Sequence, residues 1–180
     1  MDAARANRID VFNGRFGLNV NRLFHDRHLP RGYAPFNVAV IGHRVFVTYA
    51  MQDADRQDDT AGAGHGFIDT YTTYGAFLHR FASRGALDSP WGLTIAPSHF
   101  GRWSNKLLVG NFGDGRIHVF DPWSGRERAT LRSSSGHPIV IDGLWGLIVG
   151  DSAAAGTNAV WFSAGPDGEA HGLLGILTKA

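Results

Sequence analysis

Ser89–Ala96 reads SPWGLTIA, and Gly143–Gly150 reads GLWGLIVG. A third stretch, Ala34–Ile41 (APFNVAVI), begins in nearly the same way. The aromatic anchors of the three are Phe36, Trp91 and Trp145, spaced 55 and 54 residues apart. Each stretch is followed by a second strand-like run: VFVTYA from Val45, LLVGNF from Leu107 and VWFSAG from Val160. A glycine-led third run comes next, GFIDTY from Gly66, GRIHVF from Gly115 and GLLGIL from Gly172. A fourth run follows twice, FLHRFA from Phe77 and ERATLR from Glu127. The N-terminal NRIDVF (Asn7–Phe12) and GLNVNRLF (Gly17–Phe24) match the third and fourth members of the pattern.

Self-similarity at about 50 residues with four strands per unit predicts radial blades of a β-propeller. Alternation such as Ile117 and Val119 against Arg116 and His118 favours strand, and no apolar stripe of helical period persists. The expected fold class is therefore all-β: a β-propeller fragment of about three blades of four antiparallel strands, a partial or open ring with almost no helix. The chain divides as a single partial domain, with the end of a truncated blade at 1–24, blades at 34–82 and 89–132, and an incomplete last blade at 143–178. The count falls short of the 4–8 blades of closed propellers. Open blade edges then invite self-association.

Composition bounds the function classes. The chain has 180 residues, 43% hydrophobic and 18% charged, which suits one globular domain with a real core. With 17 basic and 16 acidic side chains the net charge is +1, and no Lys/Arg cluster supports a nucleic-acid partner. No apolar run approaches a membrane span, and MDAARANRID carries charges where a signal peptide would place its apolar core. Cysteine is absent, which removes disulfides, thiolate metal sites and cysteine nucleophiles. No G-x-S-x-G elbow is present either.

The motifs GYAPFNV, VTYAMQDADRQDDTAGAGHGFIDTY, GALDSPWGLTIAPSHFG, LLVGNFGDGRIHVFDPWSG, HPIVIDGLWGL and FSAGPDGEAHGLLG resemble the C-terminal half of a bacterial family of usually exported six-bladed propellers, similar in style to NHL-repeat proteins. The resemblance implies a propeller fold, an extracytoplasmic location for full-length relatives, and no known activity. Relative to that family the chain lacks the N-terminal half and its signal peptide. A wider similarity links such propellers to gluconolactonase-like enzymes, which hold a divalent metal in the central channel.

In a four-stranded antiparallel blade, the loops from second to third strand and the connections between blades emerge on one face. That face is expected to bind a small molecule or a protein partner. The longest of its loops, in AMQDADRQDDTAGAGHGF (50–67), supplies Asp53, Asp55, Asp58 and Asp59, hard oxygen donors of the kind calcium (Ca2+) or another divalent ion takes, without the EF-hand pattern. The bland alternative is a loop lock in which the carboxylates accept backbone N–H bonds. Asn111 and Asp142, beside the inner strands, complete the candidate metal ligands. Glu169 and His171 are the candidate acid/base pair, against a plain turn residue and an edge histidine. Trp91 and Trp145 read as packing between blades, with a stacking platform as the alternative. Two functions follow: a scaffold that binds at its loop-rich face, or a metal-dependent lactonase-like hydrolase with a divalent ion near the channel.

Overall fold

The computed structural model describes residues 7–19, 23–151 and 156–179. The first six residues and positions 20–22 of the expected N-terminal fourth strand lie outside them. Four antiparallel sheets follow one another along the chain. The first is a two-stranded remnant, β1 (Val11–Phe12) with β2 (Leu18–Asn19). The second contains β3 (Tyr33–Ile41), β4 (Arg44–Met51), β5 (Gly66–Thr72) and β6 (Phe77–Ser83). The third contains β7 (Pro90–Ile95), β8 (Leu107–Asn111), β9 (Ile117–Phe120) and β10 (Glu127–Thr130). The last contains β11 (Leu144–Val149), β12 (Val160–Ala164) and β13 (Leu173–Leu177). Within every sheet, strands that are neighbours in sequence are neighbours in space. Helix is confined, among the described residues, to one 3-10 turn at Gly101–Trp103. The fold is all-β and open, as the repeat predicts.

Why strands form is plain in the burial. β4 (RVFVTYAM) and β8 (LLVGN) are covered on both faces, so they are continuous apolar runs rather than alternating ones. The core is layered between successive sheets. Phe46, Ile68 and Phe81 of the second sheet pack on Leu93, Leu107, Val109 and Phe120 of the third. Leu108, Ile117 and Val119 of the third pack in turn on Leu144, Leu147 and Val160 of the last. Ile9, Phe24 and Leu29 from the N-terminal segment cover Val45, Val47 and Tyr71. The first strands converge, with β7 lying beside both β3 and β11. Gly92 permits this approach, because a Cβ there would sit 2.9 Å from the Trp145 carbonyl oxygen and 2.8 Å from Leu147 Cγ.

Candidate functional site

Each of the three inner strands breaks its register once, and always at the aromatic anchor. The pairing of β3 with β4 shifts between Pro35 and Asn37, that of β7 with β8 between Pro90 and Gly92, and that of β11 with β12 between Leu144 and Leu147. A bulge of this kind re-aims the side chain it carries. Phe36, Trp91 and Trp145 thereby meet in one half-buried cluster with Phe112 from the end of β8. Trp91 is edge-to-face with both Phe36 (4.8 Å between centroids) and Trp145 (4.5 Å), and Phe112 lies 4.4 Å from Trp145. Asn37 Nδ2 donates to the Trp91 carbonyl at 2.8 Å and ties two of the bulges together.

The loops beside this cluster hold the predicted site residues. The long loop after β4 folds back as a ribbon, with Gln52 bridged to Asp59 and the Thr60 N–H donating to Met51 O. At its tip the Asp53 carboxylate accepts the Gln57 N–H (2.8 Å), and Asp58 accepts the N–H of Asp59 (2.9 Å). Burial pushes the Asp59 carboxyl upward. Asp55 is exposed at the turn. The loop returns to its sheet where the Gly62 N–H donates to Asp88 Oδ1 (2.7 Å). Asn111 is fully buried, its Nδ2 donating to Ala86 O (2.8 Å) and Asp114 Oδ1 (3.0 Å), and its Oδ1 has no protein partner among the described residues. Asp142 is exposed and accepts the Asp167 N–H (2.9 Å).

Glu169 and His171 occupy an exposed turn. Glu169 has left-handed backbone (φ 68°), its N–H donates to Gly165 O, and the acid nearest the His171 ring is Asp167 at 3.8 Å. Among the described residues, no three His, Asp or Glu side chains gather closely enough to hold a metal ion. What the structure brings together at this rim is the set of aromatic anchors.

Sequence reading missed a second constellation, on the N-terminal side. Arg80 on β6 donates through Nε to Asp69 and through Nη2 to Asp26, and its guanidinium lies 4.7 Å from the centre of the Phe67 ring. The Tyr71 hydroxyl reaches Asp69 Oδ2 at 3.4 Å and the Tyr49 hydroxyl at 2.6 Å. Burial pushes the Asp69 carboxyl up to about 6, opposed by the Arg80 guanidinium. Burial likewise drives both tyrosine hydroxyls above their usual range. Asp26 and Tyr49 also line a cleft of about 580 Å³ beside Pro35 and the N-terminal segment.

A pH dependence follows. Asp69 in the folded state holds its proton to higher pH than in the unfolded chain, so its neutral form favours folding. That contribution is fully present below the usual carboxylate range and is lost as pH rises through about 6. In thermal melts the wild type should lose stability relative to Asp69→Asn between about pH 4 and pH 7. A difference that stays constant over this range would mean that Asp69 does not titrate in this window.

Comparison with known proteins gives viral relatives. No family model matches the chain. Uncharacterized protein L690 of Acanthamoeba polyphaga mimivirus is 36% identical over 178 residues, which cover 95% of this chain and 46% of that protein. Uncharacterized protein R648 of the same virus is 38% identical over 152 residues, 84% of this chain and 37% of its own length. Uncharacterized protein R640 is 38% identical over 145 residues, 78% of this chain and 27% of its own. The chain thus spans less than half the length of the curated relatives it matches. These findings correct the resemblance to a bacterial, NHL-like family. The shared features were glycine turns and aromatic anchors, which blade-like sheets need for packing whatever their lineage.

Proposed function

We propose that this chain is an arc of a β-propeller that serves as a binding scaffold, taking a ring-bearing small molecule at the loop-rich rim. The observation that supports this reading is the coincidence of three register breaks with three aromatic anchors. A bulge interrupts ladder hydrogen bonds, and packing alone does not require one at the same repeat position in three sheets. Binding sites of this type join apolar and aromatic walls to a few polar groups that fix orientation. Here the rings come from Phe36, Trp91, Phe112 and Trp145, and the half-buried Asn37 beside them supplies polar atoms. Loss of a central aromatic contact usually costs at least about 2 kcal/mol of binding, roughly thirtyfold in Kd.

The test is a titration followed by tryptophan emission and by NMR shifts, with cellobiose, chitobiose and indole as probes. Saturable binding of one probe, weakened about thirtyfold in Trp145→Leu while the melting curve stays cooperative, is the expected result. If all three probes leave the emission and the rim resonances unmoved, or if Trp145→Leu binds as tightly, the rim is not a ring-binding site.

A further inference from the structure

The hairpins that join first to second strands and third to fourth strands emerge on the face opposite the loop-rich rim, and two of them carry an exposed ring at the same repeat position. Ile68–Gly75 (IDTYTTYG) and Ile117–Gly125 (IHVFDPWSG) align so that Tyr74 and Trp123 fall together. Tyr74 is 86% exposed and Trp123 is 77% exposed. Their turns are built alike. Thr72 Oγ1 accepts the Ala76 N–H at 3.1 Å, and Asp121 Oδ1, at the matching place, accepts the N–H groups of Trp123 (3.3 Å) and Ser124 (3.1 Å). Each turn also holds a left-handed glycine, Gly75 (φ 86°) or Gly125 (φ 67°), pressed against the segment before its sheet. A Cβ on Gly75 would meet Leu23 Cβ at 2.6 Å, and one on Gly125 would meet Phe81 O at 2.0 Å. The glycine side of each turn is held inward, which leaves the ring standing outward. Both hairpins lie within complete four-stranded sheets, so their exposed rings are features of the repeat itself.

The same face is basic. Its turns in the second and third sheets carry Arg44, Arg102, Lys106 and Arg126, with Asp121 as their acid, and the loop after β11 adds Asp151. Asp121 Oδ2 lies 3.4 Å from Lys106 Nζ and 3.3 Å from Arg128 Nη2. Among the described residues, no carboxylate pairs with Arg44, Arg102 or Arg126. The Arg44 guanidinium stands 5.6 Å from the centre of the Trp123 ring, so cation and ring share one patch.

We propose that this face rests on an anionic lipid surface, with Tyr74 and Trp123 entering the headgroup layer and Arg44, Arg102 and Arg126 meeting its negative charge. Tyrosine and tryptophan favour the membrane–water interface, where the ring leaves water and its polar edge stays wet. Each basic side chain close to an anionic leaflet adds to the attraction. Shape favours a lipid surface over a soluble ligand. A small molecule is held in a concave site that buries most of its surface, whereas these rings stand on protruding turns. A nucleic acid takes a basic groove that follows its backbone, and the cations here are dispersed over separate turns. A fluid interface closes around rings that protrude. The aromatic anchors of the rim lie on the other face, so the inference does not rest on the ligand reading.

Flotation of the full chain with lipid vesicles tests it, one set made of phosphatidylcholine and one of equal parts phosphatidylcholine and phosphatidylserine. The wild type should float with the anionic vesicles and bind the neutral ones about tenfold more weakly or worse. Two double variants, Tyr74→Ser with Trp123→Ser and Arg102→Gln with Arg126→Gln, should each weaken binding to the anionic vesicles about thirtyfold. All four side chains are exposed, so the variants keep the fold, which a melting curve checks. Lipid with brominated acyl chains should quench part of the wild-type tryptophan emission, and that part should be lost in Trp123→Tyr, which still binds. A wild type that binds neither vesicle or both equally, binding that either double variant leaves intact, or quenching that persists in Trp123→Tyr would each overturn the proposal. Binding to heparin or single-stranded DNA without binding to vesicles would give the face to a soluble polyanion and overturn it as well.

Discussion

Replacing Arg80 by Met should lower the stability of the protein by about 3–5 kcal/mol, a fall in Tm of roughly 10 °C or more. Arg80 is the cation between two carboxylates that have almost no access to water, Asp69 at 0% exposure and Asp26 at 7%. Burial lowers the affinity of the guanidinium for its proton, and the two carboxylates outweigh that and raise it. Methionine keeps an unbranched apolar side chain at this place and removes the charge, its donors and the guanidinium's contact with the Phe67 ring. Two buried anions then face each other without a cation. The protein can relieve this by protonating Asp69, which already holds its proton up to about pH 6. The loss should therefore be larger at pH 8 than at pH 5, and denaturant melts of both proteins at the two pH values measure it. Equal losses at both pH values would show that the substitution acts through packing and not through the orphaned charge.

This network marks the boundary of what the sequence made legible. Its members lie far apart in sequence, with 54 residues between the positions of Asp26 and Arg80. Asp69 sits in GFIDTY, where alternation places it on the face of Phe67 and Tyr71 but names no partner for its charge. The repeat carried the missing signal, because His118 holds the same place in GRIHVF and is also buried, bonded to Glu127 at 3.0 Å and near Thr130 at 3.2 Å. A polar residue recurring at one place on a strand with two covered faces is a buried polar residue.

The strands and their order could be read because period-two runs and leading glycines are local features. The bulges could not, since a register break is defined by counting residues against a partner strand. Phe36, Trp91 and Trp145 were therefore visible as equivalent anchors, while their convergence into one cluster was not. The acidic loop was legible as a rim insertion, and the structure spends Asp53 and Asp58 on backbone N–H groups at its own turn. Glu169 and His171, two apart in one loop, suggested a pair. In the structure the left-handed turn at Glu169 turns its N–H to Gly165, and the ring of His171 lies nearest to Asp167.

Gly115→Ala should be strongly damaging, while Gly172→Ala should be close to silent. Both residues lead a third strand and look alike in the sequence. Gly115 has left-handed backbone (φ 67°), which costs a residue bearing a Cβ about 1–2 kcal/mol. Its Cβ would also lie 2.3 Å from Ile141 O and 2.8 Å from Ile141 C, backbone atoms that cannot swing away. The Ile141 N–H donates to Gly115 O at 2.8 Å, so any shift that relieves the clash strains this hydrogen bond and the approach of β11 to the third sheet. Together these effects should cost about 3 kcal/mol, a Tm lower by roughly 6–12 °C. At Gly172 the added methyl group meets nothing within 4 Å and the backbone is not left-handed, so the change should stay within about 0.5 kcal/mol. Side-by-side thermal melts decide the matter. If the two variants lose equal stability, glycine is needed at the head of the third strand for the turn itself. If Gly115→Ala alone is damaged, the close approach of the next sheet is what requires it.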